Sequence, residues 1–281
     1  MGFGRTGIVL ACLALPGTLP SPLAGEAALP QPGQISATYD AGVAAINLGT
    51  FEVTATFAGT GYDLMAKGRF SILAGLLYKA TGTSTSRGTL NGANPEPARY
   101  TLAYEDTKKR QKLNMTFADG TVRNVSRVPK KKPDRRAVPI PAGQLTNVLD
   151  PLTAAFLSVR SNAPPGDLDV CNQTIRIFDG KQRFDLQLSP KRAETLDSSV
   201  PKRISRRAAV CRVRYEPIGG YRPEHPGVKF LKKADGIEAW LVTVPGTGLY
   251  LPYKIIVPTT WGNGKATLTG LKATSAKASA R

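Results

Sequence analysis

Few residues in this chain have side chains that could carry chemistry, and they are widely scattered. His225 is the only histidine, so a multi-histidine metal site is excluded and a Ser–His–acid triad would hang on one side chain. It stands in Arg222-Pro-Glu-His-Pro226, a proline-bracketed loop that reads as a structural or simply exposed position. No Walker loop, zinc-ligand spacing or serine nucleophile elbow occurs. Gly59-Thr-Gly61 and Gly246-Thr-Gly248 read as turns, not phosphate cradles. Glycosidase-type carboxylate pairs can lie far apart in a chain, and nothing in the sequence singles a pair out. No catalytic residue, metal ligand or cofactor-binding residue is therefore assigned, and no cofactor is expected.

Charge is the stronger signal. The formal net charge is +18 and the isoelectric point is near 10.0, which implies association with something anionic. The basic runs are Lys108-Lys-Arg110, Lys130, Lys131 and Lys132 with Arg135 and Arg136, Lys202-Arg203 with Arg206 and Arg207, and Lys232-Lys233. The candidate anionic-ligand contacts are Lys130, Lys131, Lys132, Arg135, Arg136, Arg206 and Arg207. The competing reading is a solvated positive surface without a specific ligand. Near an anionic lipid surface each Lys or Arg contributes about 1 kcal/mol.

Which anion is available depends on compartment. Arg5, the apolar run Gly7-Ile-Val-Leu-Ala-Cys-Leu-Ala-Leu15 and the small-residue stretch Pro16 to Gly25 have the form of a secretory signal peptide, residues 1–25, with Ala24, Gly25 and Ala27 as alternative cut points. A membrane anchor needs about 20 apolar residues, and Pro16, Pro20 and Pro22 interrupt the run. Val9-Leu-Ala-Cys12 faintly matches a lipoprotein box, with too few apolar residues before it. The expectation is a periplasmic, exported protein with no transmembrane segment in its mature chain, open to peripheral membrane contact and removed from nucleic acid. Export leaves Cys171 and Cys211, an even pair in an oxidising compartment, which predicts a disulfide. In the chain-entropy picture it stabilises by about 4 kcal/mol. The sequons at Asn114, Asn124 and Asn172 matter only in a eukaryotic secretory pathway.

The elements that must position these residues are mostly strands. From Cys171 to Leu188 a hairpin is expected to turn at Asp179-Gly180, a type I′ signal. Phe184, Leu186 and Leu188 then fall on one face, opposite Arg183, Asp185 and Gln187. Cys171, Ile175 and Ile177 share a parity, as do Cys211, Val213 and Tyr215, so both cysteines point into a core. Earlier, Ile35–Asp40, Ala44–Gly49, the alternation Phe51, Val53, Ala55, Phe57, and that of Tyr62, Leu64, Ala66 and Phe70 read as an antiparallel meander. Ile72–Ala80 fits a short helix or a strand, and Thr81 to Pro97 reads as a loop or strand edge. Strands resume at Arg99 and pass through Leu113–Phe117, and Asp119-Gly120 turns the chain into Thr121–Val128.

Residues 130–141 form a basic, proline-rich connection, the leading candidate for a mobile or protease-sensitive link. A packing helix spans 148–160, with Asp150 as N-cap, Pro151 at the first helical position and Leu152, Ala155, Phe156 and Val159 as its apolar stripe. Ser189 to Ser205 reads as a long loop. Ile237–Val244, Leu249–Val257 and Lys265–Leu271 are further strands, and 272–281 is expected to be a disordered tail. The fold class is all-β and mainly antiparallel: about ten strands in a curved, open or closed barrel-like sheet, with one or two short helices, in a single domain over 26–271.

The segments Tyr39-Asp-Ala-Gly-Val-Ala-Ala-Ile-Asn-Leu-Gly49, Val148-Leu-Asp-Pro-Leu152 and Ile177-Phe-Asp-Gly-Lys-Gln-Arg-Phe-Asp-Leu186 together resemble a domain-of-unknown-function family of exported proteins from Gram-negative bacteria, over about Ile35 to Leu271. The resemblance implies a periplasmic β-rich protein and carries over no catalytic residues. Its outline is similar to the curved sheets of periplasmic lipid and lipoprotein carriers, whose helix covers the concave face. Two functions are therefore expected in competition. One is a non-enzymatic envelope protein that binds an anionic amphipath (lipid, lipopolysaccharide or lipoprotein) in an apolar cleft rimmed by Lys and Arg. The other is a hydrolase of an envelope polymer, acting through unidentified carboxylates. A scaffold with neither site is the third. An apolar groove without clustered acids favours binding, and two carboxylates facing across a polar groove favour hydrolysis.

Overall fold

The computed structural model describes residues 33–72, 78–92, 94–130, 132–159 and 161–275. The expected signal segment, Cys12, Lys131, Arg160 and residues 276–281 lie outside the described residues. The strands are β1 (Gly33–Val43), β2 (Ile46–Ala58), β3 (Gly61–Ile72), β4 (Tyr78–Asn91), β5 (Asn94–Asp106), β6 (Arg110–Ala118) and β7 (Thr121–Val128). After helix α1 (Pro151–Phe156) come β8 (Gln173–Phe178), β9 (Arg183–Thr195) and β10 (Arg207–Gly219); after α2 (Pro226–Lys233) come β11 (Glu238–Val244), β12 (Leu249–Thr259) and β13 (Gly262–Ser275).

These form one 13-stranded sheet in the order β7-β6-β5-β4-β3-β2-β1-β13-β12-β11-β10-β9-β8. Two meanders are joined where the first and last strands pair, Gly33 opposite Ser275. The edge strands β7 and β8 do not pair with each other. An extended segment stands between them, bridging Thr121 through Thr146 and Ile177 through Leu149. The Asn147 N–H donates to the Gly120 carbonyl at 2.8 Å, and the Leu149 N–H to that of Arg176 at 2.8 Å. The sheet is thus an all-β, antiparallel, barrel-like wrap whose ladder is not closed.

Several local expectations are corrected. The stretch expected as a loop or strand edge is mostly strand: Thr81–Asn91 belongs to β4 and Asn94–Pro97 to β5. Thr81, Thr83, Thr85 and Thr89 suit a pleated surface although they are polar, and the Thr85 and Thr101 hydroxyls meet across the strands at 2.7 Å. Gly88 marks the β4–β5 irregularity, where a Cβ would lie 2.1 Å from the Glu96 carbonyl oxygen. Of the Ile72–Ala80 alternatives, the strand holds at both described ends, since Ile72 closes β3 and Tyr78–Ala80 opens β4. The stretch Ser189–Thr195 continues β9, which shortens the expected loop, and Lys272–Ser275 pairs with Gly33–Ser36 in place of a frayed tail.

The turns divide. Asp119 and Gly120 both have positive φ, 52° and 65°, as a type I′ hairpin requires. At Asp179-Gly180 only Gly180 is positive, at 85°. Phe178 there pairs with Arg183, leaving a four-residue loop in place of the expected two-residue turn. Asp179 organises it by accepting from the Lys181 and Gln182 N–H groups at 2.8 and 2.6 Å.

The helix expected over 148–160 is six residues long. Its start is as read: Asp150 accepts from the Leu152 and Thr153 N–H groups at 3.0 Å. Its end comes early because the Ser158 hydroxyl donates to the Ala154 carbonyl at 2.6 Å, engaging the acceptor of the next turn. Leu152, Phe156 and Leu157 pack into the main core with Tyr39, Val53 and Leu64. Ala154 and Val159 face a second cluster with Ile175, Cys211 and Val213. The Cys171–Cys211 disulfide, S–S 1.98 Å, sits in that cluster. Cys171 lies in a 3-10 turn, Leu168–Cys171, just before β8.

The basic connection is not free. Val138 accepts from the Gly220 N–H at 2.7 Å and donates to the Tyr221 carbonyl at 2.8 Å, and Asp134 pairs with Arg222. This chain segment is docked along the end of β10.

Candidate functional site

Strands β8 to β12 have apolar residues on both faces. One face closes the main core. On the other, Ile175 and Ile177 of β8, Phe184, Leu186 and Leu188 of β9, Val213 and Tyr215 of β10, and Leu241 of β11 line a cavity of about 310 Å³. Pro151, Ala154 and Ala155 of α1 form one wall, and Leu231 of α2 stands at another. The strand alternation read from Phe184, Leu186 and Leu188 therefore builds the cleft floor. The volume lies at the small end of ligand sites, which run about 300–1,000 Å³, and suits a single slender apolar chain.

Polar groups are few there. Ser158, Tyr215 and Glu238 are the polar residues among the lining set. The Tyr215 hydroxyl donates to Gln182 at 3.3 Å, and burial pushes its pKa up to about 12. Glu238 is already engaged, accepting from Lys191 Nζ at 2.5 Å and from the Trp240 indole N–H at 2.7 Å. Burial alone would raise its pKa, but Lys191, Trp240 and Arg192 outweigh burial and hold the carboxyl below the usual glutamate value. Among the described residues it is the only carboxylate lining the cleft, so no acid pair is seen to face across it. Among the described residues no group of three or more His, Cys, Asp or Glu side chains could hold a metal.

A second polar constellation lies under α1. Ser86 and Thr153 hydroxyls each reach Asp150 Oδ2 at 2.7 Å, they meet one another at 2.8 Å, and Tyr62 reaches Thr153 at 3.1 Å. Burial raises the Asp150 pKa, against the opposing effect of these donors. Ser86, Asp150 and Thr153 are all fully buried, so a substrate has no approach. This network positions the helix that walls the cleft.

Of the seven basic residues expected to contact an anion, the six described ones are not brought together. Lys130, Lys132, Arg135 and Arg136 are exposed beyond the end of β7 along the docked connection, while Arg206 and Arg207 are exposed at the start of β10. Residues 134–140 of the connection follow the far end of β10, and a strand of 13 residues at about 3.3 Å per residue sets Arg135 and Arg136 roughly 40 Å from Arg206 and Arg207. Arg206 and Arg207 line a separate open groove of about 820 Å³ with Thr195, Ser205 and Thr243. None of the six described residues lines the apolar cleft. Lys229, Lys232 and Lys233 flank the lining residue Leu231 on α2, and Lys254 precedes the lining residue Ile255 on β12. The run Lys232-Lys233 is visible in the sequence; its tie to the cleft through Leu231 is not. His225 caps α2, its Nδ1 accepting from the Gly227 N–H at 3.2 Å, a structural role.

The profile of a family described as "Protein of unknown function (DUF3108)" matches residues 35–269. A search of curated proteins gives no match. Among solved structures the chain is similar to the beta-barrel-like protein of domain of unknown function DUF1849 from Brucella abortus, at 8% identity, covering 88% of this chain and 100% of that one, with a TM-score of 0.49.

Proposed function

Because the chain belongs to the DUF3108 family of proteins of unknown function, we propose its activity from its own side chains: it is an exported, periplasmic envelope protein that binds an anionic amphipath without catalysing a reaction. The apolar part of a lipid, lipopolysaccharide or lipoprotein acyl chain occupies the cleft between β8–β12 and α1, and its anionic head meets the lysines of α2. The observation that carries this reading is the cleft itself, an apolar cavity of about 310 Å³ with one carboxylate on its lining, already paired. Export is supported by the N-terminal segment and by a buried disulfide, the kind of bond that persists in oxidising compartments. The cleft lining lacks the second carboxylate that glycosidase-type hydrolysis needs across the reacting bond.

Charge and apolar contact contribute differently. Exposed charges are screened beyond about 8 Å at physiological salt, whereas apolar burial contributes about 25 cal/mol per Å² regardless of salt. The test is a titration of the purified mature chain with a fluorescent anionic fatty acid at low and high salt, alongside lipid extraction and native mass spectrometry. Affinity should fall but persist as salt is raised. If no lipid co-purifies and the fatty acid is ignored even at low salt, the carrier reading is wrong and a scaffold role replaces it.

A further inference from the structure

We infer that one end of the sheet, formed by the β1–β2 and β12–β13 hairpin tips together with α2, is a docking surface for an anionic lipid bilayer. Ile46 and Trp261 are 60% and 83% exposed, and the strand registers put both at this end; Phe230, 36% exposed, is on α2. Val43 pairs with Ile46 on β2 and with Gly264 on β13, and Trp261 lies in the tip between Thr259 and Gly262. The Ala44 N–H donates to the Asn263 carbonyl at 3.0 Å, locking the two tips side by side. A Cβ at Gly236 would meet Pro258 at 3.1 Å, so the chain leaving α2 abuts the β12–β13 tip. The turns at the opposite end, Gly59-Thr60, Asp119-Gly120 and Pro245–Gly248, carry no exposed large apolar side chain.

Single exposed apolar residues are ordinary. Protruding tips on adjacent elements, ringed by cations, are the pattern of an interfacial anchor, and tryptophan is the side chain enriched at that depth. Lys232 and Lys233 on α2 and Lys265 on β13 are exposed at this end. The local acids are Glu224, which pairs with Lys229, Asp235, and Glu238, which pairs with Lys191. A net positive rim around apolar tips is complementary to anionic headgroups above acyl chains. This inference does not require a ligand in the cleft, although Leu231 on the same α2 lines the cleft, so docking brings that wall to the lipid surface.

The chain has two tryptophans, so a Trp240→Phe variant leaves Trp261 as the sole indole reporter. With phosphatidylglycerol–phosphatidylcholine vesicles its emission should shift to the blue and be quenched by brominated acyl chains; with phosphatidylcholine alone it should not change. Trp261→Ala and Ile46→Ser should each weaken vesicle partitioning by about tenfold. Replacing Lys232, Lys233 and Lys265 by Gln should weaken it by about a hundredfold. Circular dichroism confirms that each variant is folded. Failure of the protein to sediment with anionic vesicles at low salt, or sedimentation with Trp261 emission unchanged, overturns the inference. Fatty-acid titration of Trp261→Ala and Ile46→Ser separates the two readings, because neither residue lines the cleft and loss of docking there leaves cleft binding intact.

Discussion

Ser86 donates its hydroxyl hydrogen to the Asp150 carboxylate at 2.7 Å although 64 residues separate them in the chain. The bond ties the middle of β4 to the N-cap of α1, deep in the core, and so fixes the wall of the cleft from beneath. Ser86→Ala leaves a buried carboxylate short of one donor, and a hydrogen bond to a charged group contributes about 1.5–3 kcal/mol. Urea unfolding should show a loss of that size with an unchanged m-value. A loss below about 0.5 kcal/mol would mean that Thr153 and the two backbone donors suffice without it.

The Cys171–Cys211 bond closes a loop with a sequence separation of 40. Replacing both cysteines with serine should lower stability by about 4 kcal/mol, read by denaturant unfolding with and without reductant. Alkylation of the native chain followed by mass spectrometry should label neither residue. Labelling of either before reduction contradicts the pairing.

Trp240 reports on Glu238, whose carboxylate accepts its indole N–H at 2.7 Å. The folded Glu238 pKa lies below the ordinary value of 4.5, so its ion pairs contribute stability that is present above that value and lost as pH falls through the lower, folded pKa. In a Trp261→Phe variant the Trp240 emission should stay constant from neutrality to pH 4.5 and change only at more acid pH. A transition centred at or above 4.5 would show that burial, not Lys191 and Arg192, governs the group.

Ala155 is an exposed residue of α1 on the wall of the cleft, so a large side chain there can enter the cavity without disturbing the core behind it. Ala155→Trp should abolish fatty-acid uptake while unfolding at nearly the wild-type denaturant concentration and partitioning normally onto anionic vesicles. Undiminished uptake would place the bound chain elsewhere, with the open groove at Arg206 and Arg207 the next candidate.

Local chemistry made much of the fold legible. Period-2 alternation marks Phe184, Leu186 and Leu188 as one apolar face, because a pleated strand sends alternate side chains to opposite sides, although the polar face is not wholly wet, since Arg183 is buried. Asp150 followed by Pro151 marks a helix start, since a carboxylate can accept from free N–H groups and proline lacks the N–H that would go unpaired. A pair of cysteines with matching apolar neighbours marks a core cross-link. Where alternation was absent the reading failed: β4 is rich in Thr, Ser and Gly, and its strand character comes from hydroxyl pairs such as Thr85 with Thr101, which only a neighbouring strand can supply.

Tertiary structure alone decided what the site is. The basic residues that cluster in sequence are divided between the two ends of β10, because strand length, not sequence proximity, sets their separation. The cleft draws on β8 to β12, α1 and α2, whose apolar faces are ordinary core stripes when read singly and become a cavity only where α1 ends after one and a half turns or so. Composition and alternation determined that this chain is an all-β, strongly basic protein with a buried cross-link. Which of its apolar faces stay open, and which cations stand beside them, followed from contacts between residues far apart in the chain, which no local pattern encodes.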